Sequence, residues 1–113
     1  MHEAGIAQEI LDVLNETASR HGLLKVSGVR LRIGAMRQIV PEALQFAFDA
    51  LGRGTIAAGA RITIEEVAVR CRCRSCDSEF AVVDYDFFCP VCNGIEVTVI
   101  EGRELFIDSV EGD

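Results

Sequence analysis

The feature that most constrains this chain is a pair of thiol knuckles: Cys73-Arg74-Ser75-Cys76, then twelve residues, then Cys89-Pro90-Val91-Cys92. Two C-x-x-C pairs at this separation can close tetrahedrally on one metal ion, and four sulfurs with no open position suit structural zinc. Pro90 inside the second pair and Gly94 just beyond it suit a sharp knuckle whose backbone amides point at the sulfurs. The other reading, two disulfides, needs an oxidising compartment that nothing else in the chain suggests. Cys71 is the odd thiol. From a strand or turn it is expected to point away from the metal and stay a spare cysteine; exchange of ligation between Cys71 and Cys73 is the alternative.

Such a segment needs little core of its own, which matters in a chain of 113 residues, half of them apolar. That length buries one modest core but hardly two, so the metal is expected to do for residues 71–100 what a core does elsewhere. Eleven basic against eighteen acidic residues leave a formal charge of -7, which repels phosphate backbones and argues against nucleic acid as a partner. A small basic cluster at Arg70, Arg72 and Arg74 is offset at once by Asp77, Glu79, Asp84 and Asp86. No apolar run approaches the ~20 residues needed to span a bilayer, and the N-terminus lacks the basic-then-apolar pattern of a signal peptide. Neither membrane nor export is therefore expected, and free thiols place the chain in the cytoplasm. No nucleophile has a histidine and an acid at recognisable spacing, so an enzyme is not expected.

Residues 4–20 place Ile6, Ala7, Ile10, Leu11, Leu14 and Ala18 at helical spacing, and His21-Gly22 suits a helix end. Val29, Leu31 and Ile33 alternate with Arg30 and Arg32, which predicts a half-buried strand from Val26 to Gly34. Pro41 is placed to open a second helix with a stripe of Leu44, Ala47, Phe48 and Leu51, stopped by Gly52 and Gly54. A strand is expected from Arg61 to Val69, with its inward set switching at Glu65-Glu66 through a bulge or strand end. Short β-prone runs follow at Phe80–Val83 and Val97–Ile100, then a last strand from Glu104 to Val110. This order predicts an α+β fold: two helices packed on a small three-stranded sheet, with a zinc-ribbon-like four-cysteine module inserted between its second and third strands. Residues 1–70 and 101–113 would form one domain and 71–100 the other. The open edges of a small sheet allow a monomer or a weak dimer.

The opening Met1-His2-Glu3 carries chemistry of its own. A free amino terminus, the amide nitrogens after it and the His2 imidazole can wrap in one plane around a divalent ion, and nitrogen-rich planar sites suit Ni(II) or Cu(II). The ordinary alternative is a frayed end, with Glu3 favouring the positive end of the first helix. His21 reads as a helix-terminus residue, or as a second ligand.

Together, Met1-His2-Glu3 running into a helix, the strand Val29-Arg30-Leu31-Arg32-Ile33-Gly34, the segment Val40-Pro41-Glu42-Ala43-Leu44-Gln45-Phe46-Ala47-Phe48 and the two C-x-x-C pairs resemble the HypA/HybF family of hydrogenase nickel-incorporation proteins. The likeness covers essentially the whole chain, including the Gly102-Arg103-Glu104-Leu105 ending. It implies a metallochaperone that binds nickel at its N-terminus and passes it, with a HypB-type GTPase as partner, to the precursor of the nickel-iron hydrogenase large subunit. By position, His2 would ligate nickel, backbone nitrogens near Met1 to Glu3 would complete the site, Glu3 would help orient it, and Cys73, Cys76, Cys89 and Cys92 would hold zinc.

The chain departs from that pattern in two places. Asp77 and Asn93 follow the cysteine pairs where some members carry histidines, so no histidine switch is expected at the zinc. The glycine expected directly after the second pair is displaced to Gly94, which predicts a differently shaped second knuckle. Two rival functions remain at this stage: a rubredoxin-like iron electron carrier, and a zinc ribbon that binds nucleic acid.

Overall fold

The computed structural model describes residues 2–113. The first helix, α1, runs His2–His21 with the whole expected stripe buried. It ends as its sequence dictates: Gly22 takes φ 68°, and the Leu23 N–H returns to the Ala18 carbonyl at 2.9 Å, satisfying an otherwise orphaned acceptor. Strand β1 covers Val26–Gly34. A single 3₁₀ turn, Ala35–Arg37, leads to helix α2, Pro41–Leu51, which has proline in its first turn where the missing N–H costs nothing. Of the stripe expected on α2, Leu44 and Phe48 are buried, but Ala47 is only half-buried and Leu51, at the last helical position, is exposed.

Strand β2 spans Arg61–Val67 and β3 spans Arg70–Cys73. The expected strand to Val69 therefore stops earlier, and a strand that the cysteine reading had not called for begins in its place. Strands β4 (Glu79–Ala81), β5 (Val97–Glu101) and β6 (Leu105–Gly112) complete the chain. They form two three-stranded sheets, ordered β2-β1-β6 and β4-β3-β5.

The chain divides into two compact units. One contains residues 1–32, 39–65 and 106–113, the other residues 33–38 and 66–105. In the first, α1 and α2 pack together, and Leu11, Leu14, Leu31 and Leu44 with Phe48 are almost wholly buried. The second gathers more chain than the segment 71–100. Its core of Val69, Cys71, Cys73, Phe80 and Cys89 is covered by Ala35 and Met36 from the 3₁₀ turn as well as by Val82, Phe87, Val97 and Val99.

One of the four points at which the chain passes between the units lies between Glu65 and Glu66. Ile62 and Ile64 are half-buried before that point, both glutamates are exposed, and Val67 is buried after it. The switch of inward face read from the sequence therefore marks where the chain leaves one unit for the other, while β2 itself continues through it.

Within the second unit two backbones cross at van der Waals contact. A Cβ on Gly34 would overlap the Gly102 carbonyl and the Arg103 nitrogen, and Gly102 itself sits at φ 121°. The Met36 N–H bonds the Gly102 carbonyl at 2.9 Å and the Gly34 N–H bonds the Glu104 carbonyl at 2.8 Å, so only glycine fits the crossing.

Candidate metal centres

The alternation Arg70-Cys71-Arg72-Cys73 is a strand pattern, with both cysteines buried and Arg72 exposed. β3 pairs antiparallel with β4 (Cys71 opposite Phe80) and with β5 (Cys71 opposite Val99, Cys73 opposite Val97). On the outer side Arg72 faces Glu79 directly and donates to its carboxylate at 2.7 Å. This hydrogen bond and the attached positive charge hold the Glu79 carboxyl below its usual range.

The first knuckle lies between β3 and β4, the second between β4 and β5, and the two repeat each other. Asp77 and Asn93, each directly after the second cysteine of its pair, take left-handed φ values of 64° and 60°. Their N–H groups return to the carbonyls of Cys73 (2.9 Å) and Cys89 (2.8 Å). The Cys73 and Cys89 N–H groups in turn bond the carbonyls of Ser78 (2.8 Å) and Gly94 (3.0 Å). The differently shaped second knuckle expected from the displaced glycine is thus corrected: asparagine tolerates the left-handed conformation, so no glycine is needed after Cys92. Gly94 instead leaves room beside the sulfurs. A Cβ there would lie 3.2 Å from the Cys92 Sγ and 3.6 Å from the Cys73 Sγ.

All four Sγ atoms of Cys73, Cys76, Cys89 and Cys92 lie within 4.8 Å of one another. The Cys73–Cys92 and Cys76–Cys89 pairs are 3.6 and 3.5 Å apart. Sulfurs held ~2.3 Å from a tetrahedral zinc are about 3.8 Å apart, so the arrangement fits that ion with little adjustment. Amides point at the sulfurs as expected; the Val91 N–H reaches the Cys89 Sγ at 3.4 Å. The Cys76 N–H, with that of Ser75, holds the Cys73 thiol below its ordinary value. The hydroxyl and N–H of Ser78 lower Cys76 to about 6. At Cys92 the Gly94 N–H also favours the thiolate, but the Cys73 sulfur, burial and the remaining two sulfurs outweigh it and push this thiol up to about 12. Four adjacent sulfurs cannot all carry charge on their own, and a divalent cation removes that conflict.

Cys71 stays outside the four-sulfur cluster, as expected of a spare thiol, but not by pointing to the other side of the strand. Residues two apart on a strand share a face, so Cys71 points inward with Cys73 and not away from it. It is nonetheless absent from the four-sulfur cluster, because it sits one pleat back, about 6.6 Å along the strand. Burial raises its thiol against a smaller opposing pull from Arg103, which leaves an inert apolar filler.

At the other candidate centre, His2 is the first residue of α1 and its side chain is 57% exposed. Its Nε2 lies 3.5 Å from Oε2 of Glu3. Glu3 is buried, only 7% exposed, and the same Oε2 accepts from the Val40 N–H at 3.4 Å. The backbone just before α2 thus fixes the carboxylate that stands beside the imidazole. Met1, expected to contribute its amino group, lies outside the described residues. His21 closes the far end of α1, nineteen residues on. At 1.5 Å per residue the two residues are about 28 Å apart along the helix axis, too far for His21 to complete a site with His2.

Sequence reasoning did not identify Val40, Ser78, Ala35 or Met36 as parts of these sites. Only Ser78 had a local signal, as a hydroxyl two residues after a knuckle cysteine.

By class, this is a small α+β protein with a closed four-cysteine module that fits structural zinc, and no helix among its described residues is long and apolar enough to cross a membrane. The family model described as "Hydrogenase/urease nickel incorporation, metallochaperone, hypA" matches residues 1–112, and the chain belongs to that family. It is 40% identical over 113 residues to the "Hydrogenase maturation factor HypA" of Moorella thermoacetica, covering 100% of both chains. The protein of the same name from Picosynechococcus sp. is 40% identical over 111 residues, 98% of each chain. In fold the chain resembles a HypA solution structure with TM-score 0.75 at 22% identity, covering 99% of this chain and 96% of that one. It also resembles the solution structure of the nickel metallochaperone HypA from Helicobacter pylori, with TM-score 0.68 at 20% identity over 97% and 96% of the two chains. The family is one of nickel metallochaperones acting in hydrogenase maturation, not of catalytic enzymes.

Proposed function

We propose that this chain binds one Ni(II) at its N-terminus and delivers it to the precursor of the nickel-iron hydrogenase large subunit, with a HypB-type GTPase as partner. On this reading it works in the cytoplasm, as a monomer or weak dimer. The helix-and-sheet unit holds the cargo, and Cys73, Cys76, Cys89 and Cys92 hold a resident zinc that shapes the other unit. The whole-chain family match favours this over an iron electron carrier or a nucleic-acid-binding ribbon.

The observation that carries the proposal is the exposed His2 imidazole beside a carboxylate that the fold has already positioned. The positive end of a helix by itself repels a cation, and the buried Glu3 charge offsets that repulsion. His2 and backbone nitrogens near Met1 to Glu3 would supply the planar donors that nickel prefers. Glu3 acts as a positioning residue. A terminal, exposed site can surrender its ion one nitrogen at a time, whereas four thiolates keep theirs, so the two centres suit a carrier and a staple respectively.

The test is transfer. The nickel-loaded chain is mixed with purified large-subunit precursor, with and without the GTPase, and nickel in each protein is counted by mass spectrometry. Nickel leaving the parent for the precursor, and none carried by a His2→Ala variant, is the expected result. Nickel retained by the chain, or delivered equally by the variant, would overturn the proposal.

A further inference from the structure

One stretch of the second unit has a surface of unusual composition. Val83, Tyr85, Phe88, Val91 and Ile95 are all 59–72% exposed. Val83, Tyr85 and Val91 stand on formed turns. Val83 and Asp86 are bridged across a two-residue turn, with the Asp86 N–H on the Val83 carbonyl at 3.0 Å. The central residues, Asp84 and Tyr85, are both left-handed at φ 53° and 60°. That is the geometry of a tight hairpin turn, which asparagine and glycine adopt easily and tyrosine only where the surroundings impose it. Gln38 donates to the Tyr85 hydroxyl at 2.7 Å, and the Asp86 carboxylate accepts from the Phe88 N–H at 3.1 Å. Val91 is held inside the second knuckle with its N–H on the Cys89 sulfur.

Along this stretch the sequence is acidic, with arginine at its margin: the Arg74 N–H bonds the Glu96 carbonyl at 2.9 Å and its guanidinium the Thr98 hydroxyl at 3.0 Å. From Ser75 to Gly102 the chain carries Asp77, Glu79, Asp84, Asp86, Glu96 and Glu101, and no lysine, arginine or histidine. Arg72 engages Glu79 and approaches Asp77, while among the described residues no ion pair involves Asp84, Asp86 or Glu96.

We propose that the 83–95 surface is a docking site for a partner protein whose apolar patch is rimmed by lysine and arginine. Aromatic and aliphatic side chains on a backbone held by turns give anchors at reduced entropic cost, and the acidic residues between them favour a basic rim and speed the encounter. The same charges oppose the other occupants. A second copy would face acid with acid, and nucleic acid or an anionic membrane would be repelled. The proposal is independent of which ion the N-terminus carries.

The test uses the full, zinc-loaded chain and two synthetic amphipathic helical peptides with the same leucine-rich face, one with lysines and the other with glutamates on its polar face. The lysine peptide is expected to bind, more weakly as salt rises, with amide-exchange protection at residues 83–95. The glutamate peptide is expected not to bind. A Tyr85→Ser, Val91→Ser, Ile95→Ser variant should lose at least tenfold in affinity. If that variant fails to hold zinc, an Asp84→Asn, Glu96→Gln variant, which keeps every apolar anchor, should still flatten the salt dependence. Equal binding of both peptides, protection elsewhere, a salt response unchanged by the charge variant, or self-association of the parent through residues 83–95 would each overturn the proposal.

Discussion

In the helix-and-sheet unit Leu11, Leu14, Leu31, Leu44 and Phe48 are almost completely buried, and each such side chain contributes about 1.5–3 kcal/mol. In the other unit three of the five residues at the centre of the core, Cys71, Cys73 and Cys89, are cysteines. One unit is held by hydrocarbon, which is permanent. The other is held by thiols, two of which contribute most once an ion joins them to their partners across the knuckles. On the proposed reading, a protein built this way can lose its nickel without changing the fold and cannot lose its zinc.

The most severe break in that comparison is Cys73→Ala. Structural zinc in small domains is worth roughly 10–16 kcal/mol, so the variant should lose zinc and the order of the second unit together. Hydrogen exchange should show amides of 66–105 unprotected, and those of 33–38 with them because Ala35 and Met36 cover the same core, while α1 and α2 keep their protection. Protection lost evenly over the whole chain would mean that the units do not fold on separate terms.

Next in size is Gly34→Ala, which puts a methyl group where the Gly102 backbone already lies. Overpacking of this kind should cost about 3 kcal/mol or more, read as a lowered urea midpoint even with zinc saturating. An unchanged midpoint would show that the crossing can open.

A smaller effect is the pH dependence of the zinc unit alone. Without an ion Cys92, pushed up to about 12, keeps its proton at neutral pH, whereas Cys76, at about 6, is already largely a thiolate. Zinc must displace the Cys92 proton, so the loaded state binds fewer protons than the empty one. Affinity should therefore rise with pH and fall on acidification, by up to about tenfold per pH unit for each proton released. Calorimetry of zinc uptake in buffers of different ionisation enthalpy reports the proton count; no release at neutral pH would contradict the assigned states.

Smallest of all, Asn93→Gly relieves a left-handed residue in the second knuckle and should stabilise the loaded unit by no more than about 1 kcal/mol. A loss would mean that the asparagine side chain does more than tolerate its conformation.

Much of this was legible in the sequence, unevenly between the two units. Periods of 3.6 and 2 identified α1, β1 and α2 because burial there is a matter of pattern, and the double C-x-x-C spacing identified the four-sulfur cluster because ligand geometry fixes spacing. The cysteines hid β3: Arg70-Cys71-Arg72-Cys73 alternates as a strand should, but with Cys73 taken as a ligand and Cys71 as a spare thiol, neither was counted as core. That also misdirected Cys71. The second knuckle was misjudged because glycine was treated as the sole left-handed residue, although Asn93 serves there. The anchoring of Glu3 by the Val40 N–H had no signal, since a backbone donor leaves no mark in a residue name.

The central claim is that two metal centres coexist and are separable. Its most direct test is calorimetric titration of nickel into the untagged, zinc-loaded chain beside His2→Ala and Cys73→Ala, with bound metals counted by mass spectrometry. One nickel per chain in the parent, none in His2→Ala at unchanged zinc, and nickel retained by Cys73→Ala is the predicted result. Equal nickel binding by parent and His2→Ala, or a Cys73→Ala variant that loses nickel as completely as it loses zinc, would contradict the account.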